Sequence, residues 1–439
     1  MKQGFFGIGN SNLGVYEYLS KKGELGDITL RSDTDIPESV ARELSPERVL
    51  TGADALKHID EDVIYLSPSV RRDREELRIA AKNGVKLSSD LELFLERRGY
   101  LDFAITGSDG KSTTTHLIAK MLTEGGMPAR PTGNYGVALS SVIDTESISV
   151  AELSSFQLNF VCPTVRTAVI TGITPNHLNW HSSLDEYVGA KRSVTDKAER
   201  LVADADSELI QPIIHNRIPF AAVSTALQHS ELSTHVKSEH YLTYRCGVIY
   251  LDSMPFADLC GAVRRERYNV KNYMLAIGAT LGKVSRDAVL RAVTEFSGLP
   301  HRSELIRELD GVRYYDSSID STPERTLATL GGIHGRNAVI IAGKRKKLSL
   351  FKLAESLPSM TVGCVLMGQI GAELAPLLSH CAGYRYVFAS DMQEAILSAR
   401  ELLGGIGNVI LSPAGTSFDV YKNFEERGRA FASAVMKLK

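Results

Sequence analysis

Residues 106–113 read Thr-Gly-Ser-Asp-Gly-Lys-Ser-Thr and follow the apolar run Phe103-Ala104-Ile105. A glycine-rich turn from a strand into a helix, ending in a lysine and hydroxyls, commits this region to an α/β layer with an anion at the strand's carboxyl end. Gly107 and Gly110 let the backbone come close to the anion, and the N–H groups around Ser108 and Asp109 face it at the helix start. Lys111 suits the β- and γ-phosphates of a nucleotide, the Ser112 hydroxyl suits a Mg²⁺ shell, and Thr113 completes the motif. The common phosphate loop spaces its glycines by four residues, and this one by two.

The length of 439 residues exceeds one ordinary core and predicts two or three domains. A net charge of −2 gives no electrostatic case for nucleic acid or an anionic membrane. No apolar stretch is long enough to span a bilayer, and the glycines at positions 4, 7 and 9 interrupt any signal-peptide core. The five cysteines lack a Cys-x-x-Cys pair and read as reduced, mostly core thiols. The expected location is the cytoplasm.

Apolar runs ending in turn residues recur at Phe5-Phe6 before Gly7-Ile8-Gly9-Asn10, at 28–30 before Ser32-Asp33-Thr34, and at 63–66 before Ser67-Pro68. That is the punctuation of a sheet whose ligands lie beyond the carboxyl ends of its strands. Leu91 to Arg98 predicts a closing helix and Gly99 a hinge. Residues 148–151 and 167–170 predict strands, and residues 240–252 a hairpin about Cys246-Gly247. After Gly298-Leu299-Pro300, runs at 338–342, 362–367, 386–389 and 408–411 predict a second doubly wound sheet. The expected fold class is α/β, in three domains: 1–98 and 298–439 Rossmann-like, and 99–297 a central phosphate-loop ATPase-like domain.

Gly7-x-Gly9 has Asn12 where the dinucleotide fingerprint places a third glycine, so a plain strand–helix turn remains open beside a diphosphate site. Asp33 could bind a base or ribose, which suits a nucleotide-sugar as well as a dinucleotide. Glu152 ends a strand beside the phosphate loop, where a nucleotide's Mg²⁺ needs a carboxylate. A helix-start acid is the alternative for it. Asn176, His177 and His181 follow another strand; a neutral imidazole can hold a metal, although loop histidines more often serve as surface hydrogen-bonders. Lys191 on its own reads as a solvated helix lysine.

Taken together, the phosphate loop, Glu152-Leu-Ser-Ser-Phe-Gln-Leu158, Asn176-His177-Leu178 and Gly189-Ala190-Lys191 resemble the Mur ligases of peptidoglycan synthesis. Arg267 to Tyr273, Gly298 to Arg302, Leu411 to Asp419 and Lys422 to Gly428 extend the likeness, toward the family's D-glutamate-adding members. The resemblance implies an ATP-dependent ligase that activates UDP-N-acetylmuramoyl-L-alanine as an acyl phosphate and couples it to D-glutamate. It implies a monomer with no nucleic-acid or membrane partner, and two Mg²⁺ sites. Ser112 and Glu152 would hold the first ion; His177 and a carbamylated Lys191 would hold the second. Lys111, His177 and Lys191 would be catalytic. ATP would lie on residues 107–113, Asn269, Arg302 and, through its ribose, Asp316. The UDP-substrate would touch Gly9, Asn10, Ser32, Asp33, Thr34, Ser67, Asn134 and Ser154. Lys346, Ser417, Phe418 and Phe424 would cradle the amino acid.

Two departures bear on selectivity. Ser318 stands where these ligases usually carry a lysine, and the segment after Gly343 is basic (Lys344-Arg345-Lys346-Lys347) where an aspartate is usual. The alternatives are a folylpolyglutamate-type ligase, a simple phosphate-loop kinase and a nucleotide-gated binding protein. A distinct amino-terminal α/β segment argues against the first, and intact candidates at 111, 152, 177 and 191 argue against the last.

Overall fold

The computed structural model describes residues 1–175, 180–265, 267–345, 348–417 and 419–439, excluding the Ser39 side chain. They form two compact units, Met1–Phe296 and Ser297–Lys439. The first unit contains two sheets and the second contains one.

The first sheet comprises β1 (Lys2–Phe6), β2 (Asp27–Ser32), β3 (Arg48–Thr51), β4 (Val63–Leu66) and β5 (Lys86–Ser88). All are parallel, in the order β3-β2-β1-β4-β5. The order reverses at β1 and β4, and ligands of such sheets sit in the crevice beyond that point. Gly9, Asn10 and Ser67 follow these two strands. Asn12 locks the crevice wall: its Nδ2 donates to the carbonyls of Phe6, Gly7 and Tyr65 at 3.1, 2.8 and 3.0 Å. The residue that breaks the glycine fingerprint therefore ties the two switch-point strands together.

The second sheet has nine strands. They are β6 (Leu101–Thr106), β7 (Ala129–Gly133), β8 (Ile148–Glu152), β9 (Thr164–Ile170), β10 (Lys197–Asp204), β11 (Ala221–Ser224), β12 (His240–Arg245), β13 (Val248–Leu251) and β14 (Met254–Asp258). The order is β14-β13-β12-β11-β10-β9-β6-β8-β7, with β6 an interior strand, fully buried and parallel to both neighbours. Strands buried on both faces read as continuous apolar runs, which is why 103–105 was legible. The hairpin expected about Cys246-Gly247 forms and gains a third antiparallel strand, β14. The two edge strands, β7 and β14, carry Pro131 and Pro255.

The third sheet holds β15 (Glu304–Leu309), β16 (Val312–Asp316), β17 (Asn337–Ala342), β18 (Gly363–Leu366), β19 (Tyr386–Phe388) and β20 (Gly407–Ala414). Its order is β15-β16-β20-β17-β18-β19, parallel except for β15 against β16. The four apolar runs predicted after residue 300 are β17 to β20. The opening hairpin escaped sequence reading because β15 is a charged edge strand with no buried residue.

A buried ion pair and a buried carboxyl bear on stability. Arg31 and Glu61 are ion-paired with both side chains wholly inaccessible, Nε to Oε1 at 2.8 Å. Arg31 also donates to the carbonyls of Ala55, Lys57 and His58. Glu61→Ala strands the guanidinium, so urea unfolding should show a loss of about 3–5 kcal/mol. Asp90 starts the helix Asp90–Arg98, and its carboxylate accepts the N–H groups of Leu139 and Ser140 at 2.9 and 2.8 Å. This joins the region of the first sheet to that of the second. Burial raises its carboxyl to about 6 despite those hydrogen bonds. The folded state therefore holds the proton more tightly than the unfolded chain, so this group's stabilisation is complete below about pH 4 and lost as pH rises through 6. Asp90→Asn should flatten that part of the stability–pH curve.

The cysteines depart from expectation. Cys162, Cys246 and Cys260 are exposed and only Cys364 is fully buried. Cys246 occupies the hairpin turn with φ +48°, which places it outside the core. Among the described residues no helix is long and apolar enough to cross a membrane.

Candidate active site

The phosphate loop leaves β6 and enters the helix Lys111–Glu124. Gly107 has φ +148°, and a Cβ there would lie 2.1 Å from Thr171 Oγ1 and 2.9 Å from the Gly172 carbonyl. No other residue fits without moving the segment after β9. The loop is also fastened from outside: Ser108 N–H donates to Gly172 O at 2.7 Å, and Thr171 Oγ1 donates to Asp109 O. Lys111 Nζ turns back onto the carbonyls of Gly107 and Ser108 at 3.0 and 2.9 Å. Those carbonyls hold the ammonium beside the cradle where phosphate oxygens would compete for it.

Glu152 ends β8, next to β6, and is 1% exposed. Asn134 Nδ2 donates to its Oε1 at 2.6 Å. Its Oε2 is buried and has no hydrogen-bond partner among the described residues. Buried carboxylate oxygens are rarely left so, and an orphan of this kind beside a phosphate loop fits a hard, oxygen-seeking cation. The hydroxyl-bearing Ser112, also buried, lies at the start of the loop's helix.

Lys191 corrects the reading made from its residue type alone. It is 2% exposed rather than solvated, because the helix Leu184–Asp196 turns that face inward. Its Nζ donates to Gly107 O at 2.6 Å and lies 4.7 Å from the Tyr187 ring centroid. Burial, then the neighbouring Lys111 charge, brings the ammonium down to about 7, against opposing pulls from Glu152 and Asp109. Lys111, Glu152 and Lys191 thus share one electrostatic environment. Tyr187, which sequence reasoning missed, also reaches the Ser108 hydroxyl at 2.7 Å. Its place four residues before Lys191 puts both on one helical face, the signal that could have found it. His177 and Asn176 lie outside the described residues. His181 is buried against the Ser155 hydroxyl at 2.9 Å.

On the first sheet, both oxygens of Asp33 are held by the Arg74 guanidinium at 2.7 Å each. That fork keeps the carboxyl below its usual range. The Ser32 hydroxyl accepts from the N–H of Thr34 at 3.2 Å. A cavity with Ser11, Ser67, Arg72, Asp90, Phe156 and Gln157 in its wall runs from this sheet toward the segment after Glu152. Ser154 does not present a free hydroxyl to it; the side chain caps the helix Ser155–Leu158 in a reciprocal box with Gln157. Asn269 is buried in the helix Arg267–Thr280. One turn on, Asn272 Oδ1 accepts from the Thr114 hydroxyl at 3.3 Å. That helix is also held through Lys271, whose Nζ contacts Asp204 and Asp206 at 2.9 and 3.3 Å.

In the second unit, the ends of β16, β17 and β20 meet around Arg427, itself 1% exposed. It donates to Ser318 Oγ and O at 3.0 and 2.9 Å and to the Gly415 carbonyl at 3.0 Å. Burial lowers this guanidinium to about 10, so it stays charged at neutral pH. Ser318, where a lysine was expected, also donates to Phe424 O at 2.8 Å. Ser417 is buried beside the backbone bridge between Lys344 and Thr416. Of the basic run, Lys344 is exposed and Arg345 pairs with Glu373; Lys346, like Phe418, lies outside the described residues. Arg302 is exposed. Asp316, expected at a ribose, is fully buried and spends its oxygens on His301 Nδ1 at 2.7 Å and Ser318 N–H at 2.8 Å.

A phosphate loop flanked by a half-satisfied buried carboxylate and a buried lysine defines a nucleotide-phosphate chemistry site. The Mur ligase middle domain model matches residues 105–280. The UDP-N-acetylmuramoylalanine–D-glutamate ligase of Ruminiclostridium cellulolyticum is 34% identical over 99% of this chain and 96% of its own length. That of Clostridium acetobutylicum is 32% identical over 100% and 97%. Among solved structures, the UDP-N-acetylmuramate-alanine ligase of Thermotoga maritima aligns over 100% of both chains with TM-score 0.59 at 19% identity. A pseudomurein peptide ligase from Methanothermus fervidus aligns over 100% of both with TM-score 0.51 at 17% identity, a likeness of fold alone. The chain belongs to the Mur ligase family.

Proposed function

We propose that this chain joins D-glutamate to UDP-N-acetylmuramoyl-L-alanine with cleavage of ATP to ADP and phosphate, in peptidoglycan precursor synthesis. Full-length similarity to ligases of that name supports the substrates. The chemistry rests on one observation: Lys191 is buried against the phosphate loop, within the electrostatic reach of Glu152, one of whose carboxylate oxygens has no hydrogen-bond partner among the described residues.

A carboxylate and an amine do not condense in water unaided. The L-alanyl carboxylate attacks the γ-phosphorus, and the bond to ADP breaks as the acyl phosphate forms. Lys111 moves from the loop carbonyls to the transferring phosphoryl oxygens, and the loop N–H groups hold the β-phosphate. Ser112 and Glu152 would hold one Mg²⁺ and His177 with a carbamylated Lys191 a second, and the bound ions would supply positive charge against the phosphate oxygens. The neutral Lys191 amine is the form that adds carbon dioxide, and its lowered proton affinity makes that form available near pH 7.

In the same reading, residues 1–98 bind the UDP-sugar through Gly9, Asn10, Ser32, Asp33, Thr34 and Ser67, with Asn134 and Ser154 nearer the reacting end. Residues 99–297 bind ATP, with Asn269 from this segment and Arg302 from the next. Residues 298–439 bind D-glutamate through Lys346, Ser417, Phe418 and Phe424. The chain works as a cytoplasmic monomer.

The test is an incubation with ATP, Mg²⁺, UDP-N-acetylmuramoyl-L-alanine and a panel of D- and L-amino acids, read by product mass. A single D-glutamyl adduct is expected, abolished by a chelator and restored by Mg²⁺. ATP hydrolysis stimulated by a folate and not by the UDP-sugar would overturn the reading.

A further inference from the structure

The segment after β4 reads Arg71-Arg72-Asp73-Arg74, and the last of these reaches across the crevice of the first sheet. Its guanidinium passes over the ring of Phe6, the last residue of β1, at 5.4 Å from the centroid. It then meets Asp33, just beyond the end of β2, with Nη1 to Oδ1 and Nη2 to Oδ2 both at 2.7 Å. One side chain from the segment after β4 thus bridges the ends of β1 and β2, pairing residues 41 positions apart. An ion pair open to solvent contributes little to stability. Arg74 and Asp33 keep 32% and 48% of their side-chain surface accessible, so the pair's place in the crevice calls for another reason. A bidentate fork is planar. Each carboxylate oxygen has a second lone pair and each terminal guanidinium nitrogen a second N–H, and these lie side by side on the flank of the fork. The flank is a fixed donor next to a fixed acceptor. The hydrogen bonds from Arg74 hold the Asp33 carboxyl below its usual range, so at neutral pH the acceptor carries no proton of its own.

Resting on the ligase reading above, we propose that Asp33 and Arg74 together read the uracil of the UDP-sugar, with Arg74 the specificity-determining member. Uracil carries a donor, N3–H, beside a carbonyl acceptor. The Asp33 carboxylate accepts N3–H while the remaining N–H of Arg74 donates to the adjoining carbonyl oxygen. Cytosine has a bare lone pair at N3 and sets it against the carboxylate. A pyrimidine whose ribose is anchored cannot exchange the two contacts. Arg74 also fixes the plane of the aspartate, which an exposed carboxylate alone would not keep. A lysine there would bring a point charge with neither the plane nor the paired edge. The neighbouring arginines are engaged elsewhere: Arg71 forks onto Asp73 and Arg72 onto Glu92. Arg74 is therefore the guanidinium of this segment that serves the end of β2.

Equilibrium binding of UDP and of CDP to the full chain separates recognition of the base from support of the crevice. The phosphate loop is first saturated with ADP and Mg²⁺, so that both probes report the first sheet. The unsubstituted protein should prefer UDP by about 10–10²-fold. Arg74→Ala should bring the two affinities toward parity by weakening UDP far more than CDP, and Arg74→Lys should not restore the difference. Asp33→Asn should also lose the preference, because its amide can turn a donor toward N3 of cytosine. Melting of the Arg74 variants should barely change, since the pair is open to solvent. Arg74→Lys carries the comparison if the alanine variant melts early. Equal losses of UDP and CDP, or an unchanged ratio, would overturn the assignment, as would an unsubstituted protein with no preference. The ligase reading stands or falls separately, on whether the D-glutamyl adduct forms.

Discussion

Lys191→Ala should lower amide synthesis by about 10²–10³-fold, with the protein still folded and still able to bind ATP. Small carboxylates such as formate or acetate should recover part of the rate, because they can place oxygens where the carbamate would have been. Lys191→Arg should not recover it: a guanidinium keeps the charge but cannot add carbon dioxide. The pH dependence has a definite sign. With the amine titrating near 7, protonation on acidification removes the form that adds carbon dioxide, so activity should fall below pH 7. Added bicarbonate should help most just above that point. Carbon-13 NMR with labelled bicarbonate reads the adduct directly. Full activity in the alanine variant would remove Lys191 from the mechanism and leave the family membership untouched.

Gly107→Ala should be nearly as damaging, for another reason. The added methyl meets Thr171 Oγ1 and the Gly172 carbonyl at 2.1 and 2.9 Å, in a backbone conformation that alanine avoids. Relief requires the loop to move, and Lys111 and Lys191 both use the Gly107 carbonyl as an acceptor. A shift of about an ångström at reacting groups can cost about 10²-fold, so kcat should fall at least that far. Melting should change much less than the rate. A variant with wild-type kcat would show that the loop's shape is not the constraint inferred for it.

The sequence reveals strands better than it reveals burial of polar groups. Phe103-Ala104-Ile105 and the four apolar runs after residue 337 were legible because strands covered on both faces leave a continuous apolar signature. The charged strand β15 has none, and so the hairpin that carries Asp316 went unseen. Lys191, Arg31 and Arg427 are residues whose type predicts solvent, yet each is buried by partners distant in sequence. Only the family likeness suggested that Lys191 was unusual. The pairing of His301 with Asp316 was hidden for the same reason: it depends on a space left by Gly428, more than a hundred residues further along the chain.

The prolines in the two outermost strands of the nine-stranded sheet have a consequence for solution behaviour. Pro131 and Pro255 cannot donate to an added strand, so neither margin offers a complete ladder to a second molecule. Concentrated protein is thereby guarded against growing by edge-to-edge recruitment, and Pro255→Val should raise its tendency to aggregate on slow refolding.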